Sequence, residues 1–394
     1  MTFTILLVLT TGVYAVMMAG VALAAWRASQ QPRPDPLGDD ALPRVAVLVA
    51  VRDEEQTIRR CLDALLAQDY PRERLTIYVA NDHSSDRTAD LIEEYEARTV
   101  HRASITDRAA PDDLARGEAL SEPRVVAVPV GAPNGHLRGK ANALHCAIGV
   151  SCEEVLLVTD ADCAPPSYWA RRMVEYLMEK RTRGAIAAQS IVEGQGLFAS
   201  VQALDWSFLL TSASALAYLD LDSTAMGNNM ALRRSAYEAV GGYAGLPFSV
   251  TEDYELWRYI RRHPNFETHF PSDGRTLNRT LPLARLRDLY MQRRRWARGG
   301  LRAKPGLHVA YVLTHLAHLL PLIGFFVAPL ATLAVLGAKW TAEITLLWVG
   351  LAQGGRRRRL WAFPVFQLVL HGYMSTLPYV LLFFPRIAWK GRTL

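Results

Sequence analysis

The sequence predicts an α/β body built on a mostly parallel sheet and flanked by transmembrane and interfacial helices. Three observations predict it. Apolar, β-branched runs alternate with helical patterns between about residues 40 and 300, which is the signature of βαβ units. Charge-free apolar stretches lie before and after that region, and roughly 20 such residues cross a bilayer as a helix. Several of the strand-like runs end in carboxylates, where parallel sheets bind their ligands.

The elements follow in order. Residues 1–26 carry no charge, and the first charge, Arg27, comes after the apolar stretch. A signal peptide would place its basic residues first, so residues 1–27 read as a retained anchor. Arg27, Arg33 and Arg44 then place the following body on the cytoplasmic side. Residues 44–51, RVAVLVAV, have the continuous apolar character of a buried parallel strand. A helical pattern follows over about residues 54–68, a strand over 75–82, and a helix from about Asp86. Residues 100–123 are polar and weakly patterned, as expected of a mobile insertion. Strands over 124–130 and 153–160, with a helix over 140–150 between them, complete the alternation.

The C-terminal part, residues 301–394, is read as an interfacial helix plus two or three spans. Residues 305–338 hold no Asp, Glu, Lys or Arg. As one helix they would reach about 50 Å, against a hydrocarbon core of about 30 Å. A break at Pro321 is therefore expected, separating an interfacial helix over 306–320 from a span ending near Gly337. On that first helix His308, Tyr311, His315 and His318 form one stripe by three- and four-residue spacing. A shorter segment, 340–352, contains Glu343 and precedes four consecutive arginines, Arg356 to Arg359. The last apolar run, 360–385, reads as a span or as a hairpin bent near Gly372 and Pro378. Glu343 is the one acidic residue of these segments, and the absence of paired charges argues against a transporter.

Composition excludes other classes. The chain of 394 residues has a net charge of +6. Much of that excess lies beside apolar segments, where anionic headgroups attract it, so no nucleic-acid partner is implied. Cys61, Cys146, Cys152 and Cys163 form no C-x-x-C pair, which points to reduced thiols and away from zinc. Neither G-x-x-x-x-G-K-[ST] nor G-x-G-x-x-G occurs, so no P-loop or dinucleotide fingerprint is present.

The carboxylates carry the chemistry. Asp53 with Glu54 and Glu55 follows the first strand, Asp82 ends the second, and Asp160 and Asp162 end the fourth. Parallel topology brings all of them to one edge. A D-x-D closed by Pro165-Pro166 is either an acidic turn or a seat for a hard divalent cation, which binds one or two carboxylates plus substrate phosphates.

In order along the chain stand VAVRDEEQTIRRCLDALLAQDYP, VANDHSSDRTADLI, GKANAL, VTDADC, MGNNMALRRSAYEAVGGY, VTEDYEL and QRRRW. This set resembles the membrane-bound glycosyltransferases of family 2, the group containing cellulose, chitin and hyaluronan synthases and ceramide glucosyltransferases. The resemblance covers roughly residues 44–300 and implies a GT-A fold, Rossmann-like, over residues 40–300. It implies that Asp53 and Asp82 hold the nucleoside and that Lys140 faces the diphosphate. Asp160 and Asp162 would coordinate Mn²⁺ or Mg²⁺ on the diphosphate of a nucleotide-sugar, and Asp253 would be the general base, with Glu252 orienting it. Gly227 would let the backbone approach the donor, and Asn228 or Asn229 would bond sugar hydroxyls. Arg295 would meet the pyrophosphate, Trp296 would stack on the acceptor and Gln292 would shape that pocket. Arg293, Arg294, Arg298 and Arg302 would contact headgroups.

The expected protein is thus an inverting, metal-dependent glycosyltransferase of the bacterial inner membrane, its catalytic domain cytoplasmic. It would move one sugar from a nucleoside-diphosphate sugar, with UDP the expected nucleotide, to a hydroxyl of a membrane lipid, a glycan being the other acceptor class. A processive polysaccharide synthase is the enzyme alternative, and a nucleotide-binding membrane pseudoenzyme the non-enzyme one.

Overall fold

The computed structural model describes residues 1–106, 123–133, 135–221, 223–301, 305–384, 388–389 and 392–393. The chain forms two compact units. One comprises Pro32–Ser190 and Ala225–Thr280; the other comprises Met1–Gln31, Ile191–Thr224 and Leu281–Leu394.

The first unit holds a seven-stranded sheet. Its strands are β1 (Val45–Val51), β2 (Leu75–Asn81), β3 (Arg124–Pro129), β4 (Val155–Asp160), β5 (Arg183–Ala187), β7 (Asn229–Arg233) and β8 (Glu267–His269), in the order β3-β2-β1-β4-β7-β5-β8. The short strand β6 (Ser190–Val192) lies where the chain leaves this unit. β3, β2, β1 and β4 are mutually parallel, and β7 runs antiparallel to both β4 and β5. β1 is buried along nearly its whole length, as a strand covered on both faces must be. Val47, Val49, Ile77 and Leu157 pack with Cys61, Leu62, Leu65, Trp169 and Met173 from the helices Ile58–Leu66 and Trp169–Met178. The register aligns Val51 with Asn81 and Ala50 with Asp160. The ends of β1, β2 and β4 are therefore level, and the acidic segments that follow emerge at one edge. The helix Thr88–Thr106 occupies residues 100–106 of the region expected to be an insertion, and residues 107–122 lie outside the described residues.

The second unit is helical. Among the described residues four helices are long and apolar enough to cross a membrane: Thr2–Ser29, Gly306–Val327, Pro329–Gln353 and Arg357–Phe383. The helix Gly196–Tyr218, which the sequence pattern assigns to the α/β body, packs here instead. It has almost no polar face, and such a helix must bury all round. Its Thr211 approaches Gly350 so closely that a Cβ on Gly350 would lie 2.0 Å from the Thr211 hydroxyl.

Three expectations are corrected in this unit. The helix Pro305–Val327 continues through Pro321, and the break falls at Ala328, where Pro329 opens the next helix at its first turn. Neighbouring helices can satisfy the carbonyl that an interior proline frees. The last helix, Phe363–Phe383, likewise continues through Gly372 and Pro378, so no hairpin forms there. The apolar segments also contain a charge pair. Lys339 lies 3.0 Å from Glu343 Oε1, and both side chains are fully buried.

That pair draws all four long helices together. Tyr14 Oη donates to Glu343 Oε1 at 2.8 Å. Lys339 donates to Gln367 Oε1 at 3.1 Å, and Gln367 Nε2 donates to Glu343 Oε2 at 2.8 Å. His318 lies edge-on to Tyr14 and His371, with its Nε2 3.8 Å from Glu343. Removing one partner of such a buried pair costs about 3–5 kcal/mol, so the node fixes which helices meet. The predicted histidine stripe divides accordingly. His318 enters this node, His315 Nδ1 donates to the Met374 carbonyl at 2.9 Å, and His308 Nε2 donates to the Leu301 carbonyl at 3.2 Å.

Candidate active site

The site forms beyond the carboxyl ends of β1, β2 and β4. Asp160 is the last residue of β4, and the chain turns at once: Cys163 N donates to Asp160 O at 3.0 Å. Ala164 N then donates to Arg279 O at 2.8 Å, and Arg60 donates to Asp162 O at 3.2 Å. This turn holds both carboxyl groups at the same edge.

Burial, then the neighbouring Asp160 and Glu54, push the Asp162 carboxyl up to about 6. Two carboxylates this close repel each other, and a cation relieves that repulsion. Lys140 supplies one in this structure. It stands at the start of the helix Gly139–Val150, is bonded to Asp160 and lies 3.9 Å from Glu252 Oε1. Burial alone would depress its pKa, but Asp160, Glu252 and Asp253 together hold it above the ordinary lysine value.

Asp253 belongs to the first turn of the helix Glu252–Arg262. Its Oδ2 accepts from Gly227 N at 2.6 Å and its Oδ1 accepts from Tyr254 N at 2.8 Å. Each carboxylate oxygen keeps a further lone-pair direction. Gly227 is required by the close approach: a Cβ there would lie 2.9 Å from Asp253 Cβ and 3.1 Å from Lys140 Nζ. Lys140, Asp160, Gly227, Glu252 and Asp253 therefore form one cluster. Thr251 precedes the helix without capping it through its side chain.

Asp53 adopts a positive φ of 51°. Its Oδ1 accepts from Ser85 N at 2.7 Å and from Ser85 Oγ at 3.1 Å. The Ser85 N–H holds the Asp53 carboxyl below its ordinary pKa. Asp82 is buried, donates through its N–H to Val51 O at 2.8 Å and faces Arg52 Nη1 at 3.9 Å. Ser84 ties the two loops together, with Asp53 N donating to Ser84 Oγ at 3.0 Å and Ser84 N to Asn81 Oδ1 at 3.0 Å.

One sequence expectation changes here. Asn229 is the first residue of β7 and is fully buried. Its amide donates to Gln189 O and Thr276 O at 2.7 and 2.9 Å, and its oxygen accepts from Trp169 Nε1 at 2.8 Å. That side chain supports the sheet and has nothing left for a sugar. Asn228 is also buried, with Ser190 Oγ donating to it at 2.9 Å and its amide 3.7 Å from Cys163 Sγ. It braces the Asp160–Asp162 turn from behind.

Sequence reasoning missed Cys163 and Ser85. Cys163 Sγ lies 3.4 Å from Asp162 Oδ1, and burial followed by Asp162 pushes its thiol well up. The signal for Ser85 was present in the NDHSSD stretch, since serine after a strand-ending acid is a common turn partner.

Among the described residues no three His, Cys, Asp or Glu side chains are grouped to hold a metal ion. Asp160 and Asp162 fit a hard cation as two oxygen ligands, with further positions left to phosphate oxygens and water. Gln292, Arg295 and Trp296 lie on the helix Leu286–Gly300 of the helical unit. Trp296 packs edge-on against Trp206, ring centroids 5.3 Å apart. On the same helix Arg293 and Arg294 are buried, against the expectation of headgroup contact. Arg294 donates to the Phe384 carbonyl, and Arg293 pairs with Asp205. Arg302 lies outside the described residues.

Comparison with known proteins gives a consistent result. The family described as Glycosyltransferase like family 2 matches residues 43–299, well over half of the chain. "Probable glycosyltransferase YdaM" of Bacillus subtilis is 27% identical over 263 residues, covering 66% of this chain and 55% of the relative. "Beta-monoglucosyldiacylglycerol synthase" of Synechocystis is 27% identical over 294 residues, covering 71% of this chain and 53% of the relative. The chain thus spans about half the length of these curated relatives. Among solved structures, the mannosyltransferase PcManGT of Pyrobaculum calidifontis, in complex with GDP-Man and Mn²⁺, matches with a TM-score of 0.54 and 21% identity. That match covers 96% of this chain and 98% of that one, and it shows the shared GT-A fold.

Proposed function

Because the chain belongs to the family 2-like glycosyltransferases, we propose that it transfers one sugar, with inversion, from a UDP-sugar to a hydroxyl of a membrane lipid. The observation that carries this is the cluster at the sheet edge. Lys140 is bonded to Asp160 of the D-x-D turn, lies 3.9 Å from Glu252, and stands beside the Gly227 backbone that holds Asp253.

In the proposed mechanism Asp53 and Asp82 hold the nucleoside. Asp160 and Asp162 would hold Mn²⁺ or Mg²⁺, which when bound would supply positive charge for the departing nucleoside diphosphate. Lys140 releases Asp160 and turns to the phosphates, and Glu252 orients Asp253. Asp253 takes the proton of the acceptor hydroxyl as that oxygen attacks the anomeric carbon. Arg295 binds pyrophosphate as a planar fork, while Trp296 and Gln292 line the acceptor path.

Two features support a lipid acceptor. One relative is named for making monoglucosyldiacylglycerol. The helices of the second unit close on one another around Leu346, Leu347, Phe366 and Leu370, whereas a growing hydrophilic polymer needs a water-lined path. The proposed setting is the bacterial inner membrane with the catalytic body in the cytoplasm.

The donor is tested by incubating the purified protein with a panel of UDP- and GDP-sugars and native membrane lipids, then measuring nucleoside diphosphate release. Release from UDP-sugars that depends on added lipid is expected. Release from GDP-sugars alone would reassign the nucleotide.

A further inference from the structure

We propose that Arg293, with Asp205 behind it, is a positioning residue that sets Trp296 and Gln292 for acceptor use; this rests on the acceptor role proposed above for those two side chains. Arg293 sits inside the Q-x-x-R-W segment but at one of its unspecified positions.

Its surroundings are unusual for such a position. Arg293 is 3% exposed and Asp205, in the middle of the apolar helix Gly196–Tyr218, is fully buried. Arg293 Nε donates to Asp205 Oδ2 at 2.6 Å, and Nη2 donates to the same oxygen. Tyr373 Oη donates to the other carboxylate oxygen at 2.6 Å. Asp205 is thus held at both of its oxygens. The remaining guanidinium edge is directed at the motif: Nη1 donates to Gln292 Oε1 at 2.6 Å. The guanidinium face lies 4.0 Å from the centroid of the Trp296 ring. Trp206, next to Asp205 in sequence, packs edge-on against Trp296.

The chemistry requires arginine. A planar guanidinium can bond a carboxylate, bond an amide and cover an aromatic face at once, and an ammonium cannot. Burying an ion pair is not by itself stabilising, and an apolar pair of similar volume often serves as well. The retained charge pair is explained by the two functional side chains that it orients. Misplacing a substrate-contacting group by about 1 Å can cost about 10²-fold in rate.

The test uses full-length protein labelled with 5-fluorotryptophan, the Trp296 resonance being assigned through Trp296→Phe. Arg293→Lys is expected to move that resonance and to lower kcat/KM for the acceptor by about 10²-fold, while nucleotide affinity stays at the wild-type value. The double variant Arg293→Met/Asp205→Leu removes the charges together, so it keeps a cooperative melt; it is expected to show the same two changes. An unmoved resonance in Arg293→Lys, or wild-type acceptor efficiency in the folded double variant, would overturn the positioning role. Trp296→Phe separates this from the acceptor assignment. Full acceptor use in that variant contradicts the role of Trp296, while the Arg293→Lys resonance still decides whether Arg293 positions it.

Discussion

Asp253→Asn is expected to keep nucleotide-sugar affinity near the wild-type value and to lose about 10²–10⁴-fold in turnover, the usual worth of a general base. The geometry predicts this split. Asp253 is held by the Gly227 and Tyr254 N–H groups, so an isosteric amide stays in place. It has one acceptor oxygen where the carboxylate has two, so one of those N–H groups loses its partner, at about 1–3 kcal/mol of stability. A melt measured alongside activity separates that loss from chemistry. Asparagine cannot take the acceptor proton, and turnover should fall in a protein that still folds and binds. Isothermal titration with UDP-sugar, beside initial rates, is the measurement. Loss of binding together with rate would make Asp253 a structural or metal-linked residue.

Chelation is expected to abolish transfer, and Mn²⁺ or Mg²⁺ to restore it. The same loss is expected of Asp162→Ala. The carboxylates of Asp160 and Asp162 share one turn, and burial, followed by the neighbouring Asp160 and Glu54, raises the Asp162 carboxyl to about 6. The direction with pH follows. A carboxyl with a raised pKa takes up its proton as pH falls through about 6, and proton and cation compete for it. Its negative charge opposes folding above that pH, and protonation relieves the strain below it. Cation affinity should therefore be full above about pH 6 and should weaken about tenfold per pH unit beneath it. Mn²⁺ binding followed by electron paramagnetic resonance across pH 5–8 reads this without any turnover. Full activity of Asp162→Ala in chelator would remove the metal from the account.

The parts legible in the sequence were those fixed by short-range pattern. The β-branched runs that become β1, β2 and β4 needed burial on both faces, and the acids at or after their ends marked the edge. β7 was not legible, because NMALR reads equally as a motif or a strand until its antiparallel partners β4 and β5 are in place. For the same reason Asn229 looked like a sugar ligand and is a core residue. Arg293 looked like a headgroup anchor, since nothing local says that Asp205, 88 residues away, will meet it. The membrane helices failed the same way. Pro321 and Gly372 are local breakers, and tertiary neighbours outweigh them. Lys339 lies just outside the segment 340–352, so its pairing with Glu343 emerges only when both stand on one buried helix face.

The central claim is a single sugar transfer to a membrane lipid, and product analysis tests it most directly. The purified protein is incubated with native membrane lipids and a radiolabelled UDP-sugar, the mixture is partitioned between water and organic solvent, and the labelled product is weighed by mass spectrometry. Label is expected in the organic phase on a lipid that has gained one sugar. A ladder, or a water-soluble high-mass product cleaved by glycoside hydrolases, would contradict it and make the protein a polymer synthase.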